Sequence, residues 1–86
     1  MLEYRFKNLT IKFAGEDFLV NGTAVYQIED FEEDGKEAGF ESATLIDALS
    51  KDGYVTSAEC LGYLGEATVE HLNGDSSLCR QLGNKF

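Results

Sequence analysis

The chain has no proline and no tryptophan, one histidine and two cysteines in 86 residues. Cys60 and Cys79 are far apart and share only His71 as a companion metal-ligand type, so neither a zinc centre nor a disulfide scaffold is signalled. The expectation is two small buried hydrophobes in a reducing compartment, with a single Cys60–Cys79 bridge between two helical segments as the alternative. Basic residues are also scarce. Seven Lys and Arg stand against sixteen Asp and Glu, giving a formal charge of -9 and a pI near 4.3. That balance argues against a phosphate-gripping nucleic-acid binder and against a polybasic membrane-surface protein. No apolar run approaches the ~18 residues of a membrane span. Met1 to Lys12 alternates charged and apolar residues and lacks the zones of a secretory signal, which predicts a soluble protein of the cytoplasm. There are no repeats or low-complexity tracts, and the length fits one small domain over residues 1–86.

What the chain does have is 43% hydrophobic and 12% aromatic residues, arranged first with period two. Leu2, Tyr4 and Phe6, then Leu9, Ile11 and Phe13, then Phe18 and Val20, then Ala24, Tyr26 and Ile28 predict a β-hairpin over residues 1–30. A turn at Ala14-Gly15-Glu16-Asp17 pairs Phe13 with Phe18, Ile11 with Val20 and Leu9 with Gly22. Between Phe6 and Leu9 the apolar phase slips from even to odd. That slip demands one extra residue, a β-bulge at Lys7-Asn8, beyond which Phe6 meets Ala24, Tyr4 meets Tyr26 and Leu2 meets Ile28. The rival is a tight hairpin at Asn21-Gly22.

From Glu29 to Glu37, six of nine residues are acidic, and mutual repulsion predicts a solvated acidic loop over residues 29–41 or a strand exit. Residues 42–86 read as mainly helical. Glu41 to Leu49 fits a short helix capped by Ser42, with Leu45, Ile46 and Leu49 on one face, and fits a third strand over Phe40 to Ile46 equally well. Thr56 or Ser57 caps a helix running to Leu72, with Leu61, Leu64, Thr68 and Leu72 inward. Gly62 and Gly65 require that helix to approach the sheet closely or to break. Asn73-Gly74 predicts a left-handed C-cap, and Asp75 to Ser77 caps a last turn over Leu78 to Leu82, closed by Gly83. The fold class is therefore α+β: an N-terminal bulged hairpin, with room for a third antiparallel strand, packed by C-terminal helices.

Catalytic signals are sparse. His71 sits near a helix end with no nucleophile elbow, phosphate loop or metal-ligand spacing beside it, so the chain reads as no enzyme, with no cofactor. Asp52-Gly53-Tyr54-Val55-Thr56-Ser57-Ala58-Glu59 resembles the second half of an EF-hand calcium loop, although Ala48 stands where that family has its leading aspartate. The resemblance implies calcium ligands at Ser50, Asp52, Tyr54 and Glu59. A second stretch, Asp30 to Gly35 and on to Glu41, resembles the same family and implies ligands at Asp30, Glu32, Asp34 and Glu41. Val55 to Glu59, Leu64-Gly65 and Ala67 to Leu72 resemble a winged-helix helix-turn-helix, but its reading helix offers Glu66 and Glu70 and no basic residue.

In size, charge and architecture the chain resembles small acidic bacteriophage and mobile-element accessory proteins, including anti-CRISPR and anti-restriction inhibitors that mimic DNA. That resemblance implies a non-enzymatic inhibitor inside a bacterial host cell. Its partner is a basic nucleic-acid groove on a larger protein, a CRISPR effector or nuclease, with no direct contact to nucleic acid or membrane. The surrogate phosphates are Glu29, Asp30, Glu32, Glu33, Asp34 and Glu37, and Phe31 is the apolar anchor among them. The alternatives are a calcium module, a degenerate helix-turn-helix, and a self-associating phage structural or assembly protein. The last is prompted by Leu19 and Val25 on the hairpin's second face.

Overall fold

The computed structural model describes residues 2–33 and 35–86. Strands β1 (Leu2–Phe13), β2 (Glu16–Phe31), β3 (Gly35–Ser50) and the short β4 (Gly53–Tyr54) precede helices α1 (Ala58–Asn73) and α2 (Ser76–Gly83). The strands form one antiparallel meander in the order β1-β2-β3-β4.

The expected hairpin forms, but its turn is two residues shorter than the sequence suggests. Ala14 and Gly15 take φ of 52° and 78°, the left-handed pair of a two-residue hairpin turn. Phe13 therefore faces Glu16, Ile11 faces Phe18 and Leu9 faces Val20. The whole register is displaced by two from the expected one, which leaves every side chain on its expected face because the strand period is two. Beyond the bulge Phe6 faces Gly22, Tyr4 faces Ala24 and Leu2 faces Tyr26. The bulge itself is where the phase slip requires it, with Asn8 at φ 53°. Asn21-Gly22, the rival turn, lies in the middle of β2.

Residues 35 to 50 are a full third strand and contain no helix. The register slips between Asn21 and Gly22 and again between Val25 and Tyr26 leave Ile46 and Glu41 as the extra residues on β3. Each bulge resets the alternation, so Ala38 and Phe40, then Ala43 and Leu45, then Ala48 all turn to the same face. The acidic stretch is correspondingly not a loop over 29–41. Its flanks pair as Glu29 with Glu37, Asp30 with Lys36 and Phe31 with Gly35, leaving a short turn.

Helix α1 lies on the inward face. Ser57 Oγ accepts from Cys60 N at 3.3 Å, as an N-cap does, and Glu59 occupies the electropositive first turn. Leu64, Thr68 and Leu72 are fully buried against Phe6, Ile11, Val20, Ala24 and Ala48, each leucine contributing about 1.5–3 kcal/mol by burial. Thr68 is satisfied within its own helix, its hydroxyl donating to Leu64 O at 2.7 Å. Tyr26 and Tyr4 pack on Phe40 with ring centroids 5.5 and 5.9 Å away.

The helices also close the open edge of β3. Asn73 places its amide on the Phe40 backbone, accepting from Phe40 N at 2.8 Å and donating to Phe40 O at 3.0 Å. Gly65 permits close approach, since a Cβ there would stand 2.9 Å from Ala43 O, and one at Gly83 would collide with Lys36 O. Gly62 faces open space. The expected left-handed C-cap is absent: Gly74 has φ -79° and its N–H continues the helical pattern onto Glu70 O at 3.0 Å. Helix α2 starts as expected, with Asp75 Oδ1 accepting from Leu78 N at 3.1 Å. Both cysteines are free, Cys79 buried and Cys60 exposed, so the bridge does not form and only one of the pair is a core residue.

Candidate interaction surface

The acidic stretch becomes the far end of the β2–β3 hairpin. Glu29, Asp30, Phe31, Glu32 and Glu33 are exposed there, and Asp34 lies outside the described residues. Phe31 is 42% exposed because its cross-strand partner is Gly35, which offers no side chain to cover the ring. Gly35 takes φ 82°, a left-handed conformation natural to glycine at the turn exit.

The base of this tip is strapped to the C-terminal helix. Glu37 Oε1 accepts from Arg80 Nε at 3.3 Å, and Lys36 Nζ donates to Phe86 O at 3.1 Å. Exposed ties of this kind contribute a few tenths of a kcal/mol up to about 1 each. Opposite Glu37 stands Glu29, a like-charge cross-strand pair that costs stability. Glu29, Glu37 and Glu41 line a polar cleft of about 370 Å³ together with Gln27, Asn73 and Ser76. The buried Cys79 thiol at its floor is pushed up in pKa, first by burial and then by the fields of Glu37, Asp75 and Glu29. It donates to Leu72 O at 3.4 Å, so it stays a protonated packing group and not a nucleophile.

The residues of the other expected sites are not brought together. Asp30 is in β2 and Glu41 is the bulge residue opposite Tyr26, four positions or roughly 13 Å further along the ribbon. The stretch from Asp30 to Glu41 is flanked by strands, where an EF-hand needs helices. Ser50 Oγ accepts from Asp52 N at 3.2 Å and donates to Gly53 O at 2.9 Å, closing the β3–β4 turn on itself. Tyr54 is in β4 and Glu59 in the first turn of α1, with a strand before the loop instead of a helix. Among the described residues no group of three or more His, Cys, Asp and Glu is placed to hold a metal ion. Leu64-Gly65 is mid-helix, so the helix-turn-helix turn does not exist. His71 is exposed in the last turn of α1. No described helix is long and apolar enough to cross a membrane.

A second surface was not anticipated from the sequence. Where the bulges of β1 and β3 flank Asn21-Gly22, the outer face of the sheet dips into a concavity of about 640 Å³ bordered by Arg5, Lys7, Asn21, Ile46 and Asp47. Gly22 is obligatory at its floor, because a Cβ would collide with Thr44 O. Asn21 ties the two bulges together: its Oδ1 accepts from Asn8 N at 2.8 Å and its Nδ2 donates to Asp47 Oδ1 at 2.6 Å. Ile46 is 79% exposed on its bulge. Two cations on one face at i and i+2 beside an expected bulge were the available signal. On the same outer face Leu19 is exposed beside its partner Leu49, and Val25 is half-buried.

The chain is a small α+β protein, a four-stranded antiparallel meander carrying two C-terminal helices. Comparison with protein-family models, with curated proteins and with solved structures finds no match to any of them.

Proposed function

We propose that the protein is a non-enzymatic inhibitor whose acidic hairpin end enters a basic, nucleic-acid-shaped groove on a larger protein of a bacterial cell, such as a CRISPR effector or nuclease. The observation that carries this reading is the tip itself. Strand pairing runs up to Phe31 and Gly35, so the carboxylates of Glu29 and Asp30 stand on a hydrogen-bonded ribbon and those of Glu32 and Glu33 in the turn just beyond it, around an uncovered aromatic ring. Folding gains little from so many exposed carboxylates, and the facing Glu29 and Glu37 work against it. A rigid strip of carboxylates matches the field of a groove built for phosphates, while Phe31 supplies the desolvated anchor that such contacts depend on.

The test is an affinity pull-down from a bacterial lysate at low and high salt, read by mass spectrometry, with the chain and its Asp30→Lys/Glu32→Lys/Glu33→Lys variant as baits. The expected result is a DNA-displaceable nuclease or CRISPR effector recovered by the first bait and lost with the second, with steep salt dependence. Equal recovery by both baits, undiminished at ~0.5 M salt where the Debye length is only several ångströms, overturns charge mimicry.

A further inference from the structure

In a chain of net charge -9, β1 is the exception, carrying Arg5, Lys7 and Lys12 against the single acid Glu3. Two of those cations border the outer-face concavity. Among the described residues neither Arg5 nor Lys7 takes part in a salt bridge. The carboxylate closest to hand, Asp47, is held by the Asn21 amide at 2.6 Å. The concavity thus presents two cations against one engaged carboxylate, with the exposed Ile46 as an apolar wall. Its volume of about 640 Å³ is that of a pocket for a drug-sized molecule, ample for one aromatic ring. The complementary object is already in the molecule: the hairpin end, with Phe31 among Asp30, Glu32 and Glu33. A molecule cannot satisfy its own concavity with it. Asn21 and Phe31 lie in the same extended strand, ten residues or roughly 33 Å apart.

We infer that the concavity is the seat for the acidic hairpin end of a second copy of this chain, with Phe31 against Ile46 and the surrounding carboxylates against Arg5 and Lys7. The contact is heterologous, tip into concavity, so it propagates head to tail unless the rotation closes a ring. Association covers the tip, and self-assembly therefore competes with partner binding. The inference rests on the tip being adhesive, but it uses a surface that the inhibitor reading does not.

The test uses charge reversal on each side, with sedimentation velocity from about 10 µM to about 1 mM, where a weak contact saturates, at about 0.15 M salt to screen the overall repulsion. The wild-type chain is expected to rise in mass with concentration. Arg5→Glu/Lys7→Glu and Asp30→Lys/Glu32→Lys/Glu33→Lys are each expected to lose self-association at least tenfold, with circular dichroism unchanged because all five sites are exposed. Mixed with each other, the two variants are expected to co-associate in alternation, the unreversed tip of the first seating in the unreversed concavity of the second and the reversed tip in the reversed concavity. A wild-type chain that stays a 9.5 kDa monomer, a variant that associates as well as wild type, or a mixture no better than its components overturns the inference. In the pull-down the Arg5→Glu/Lys7→Glu bait still recovers the partner if the inhibitor reading holds, so failure of the two ideas is told apart.

Discussion

The sheet has two edges, and they are protected by opposite means. The β3 edge is closed by contact: Asn73 fills the hydrogen-bonding positions of Phe40, and Gly65 and Gly83 let helix backbone lie almost on strand backbone. Among the described residues no further strand pairs with the β1 edge, and its protection is chemical. Lys7 and Lys12 stand along it and the Lys7-Asn8 bulge breaks its regularity, both of which discourage another strand from pairing. Closure by contact is stabilising but intolerant of volume, whereas closure by charge costs little and tolerates any residue that stays charged. The two edges should therefore fail differently.

The largest effect is expected at Gly83→Val, which drives a side chain into the Lys36 carbonyl that Gly83 now nearly touches. Overpacking of this kind costs about 3 kcal/mol, and urea denaturation should show it as a lower midpoint with an unchanged slope. If stability is retained, α2 does not bear on the β3 edge. Next is Asn73→Leu, which leaves the Phe40 N–H and C=O without their partner for about 2 kcal/mol, measurable by the same unfolding curve and by faster amide exchange at Phe40.

A smaller, pH-dependent effect belongs to Cys79 under the same edge. Its raised pKa means that the folded chain keeps the thiol proton where the unfolded chain gives it up. That contribution is complete below about pH 8.5, the ordinary thiol value, and is lost as pH rises through the folded value. The melting temperature of the wild type should fall more steeply above pH 8.5 than that of Cys79→Ala, and parallel slopes would remove the thiol from the account. The smallest thermodynamic effect is expected from Lys7→Thr/Lys12→Thr on β1, within about 0.5 kcal/mol. Its signature is aggregation on storage, followed by light scattering. A variant as soluble as wild type would show that the bulge alone guards this edge.

Much of this was legible in the sequence and part was not, for identifiable reasons. The bulge at Lys7-Asn8 was legible because an odd-even slip has one mechanical solution. The α1 helix was legible because Ser57, Leu61, Leu64, Thr68 and Leu72 keep one period throughout. The register was missed because alanine is a poor guest at φ 52°, and nothing local marks Ala14 as willing to adopt it. The third strand was only half legible, since two bulges give its inward residues spacings of two, three, two and three, which the eye reads as a helix at Leu45, Ile46 and Leu49. The acidic residues were found as a group, but repulsion suggested a loop. The ribbon is instead extended by Ile28, Ala38 and Phe40 packing beneath it, and the pair Asp30 and Lys36 supports its last rungs. The outer-face concavity needs two bulges on different strands brought side by side, which one-dimensional pattern cannot place.

The three bulges also set where the gene could lose a codon harmlessly. Removing one residue from a regular strand inverts every side chain beyond it. Removing Asn8, Glu41 or Ile46 merely restores a regular ladder, with Phe6 and Leu9, Phe40 and Ala43, or Leu45 and Ala48 still on the helix-facing side. Such a deletion would keep the core's identity and change the bend of the sheet around α1, so these positions are the joints at which descendants of this chain could vary in length while keeping the same interior.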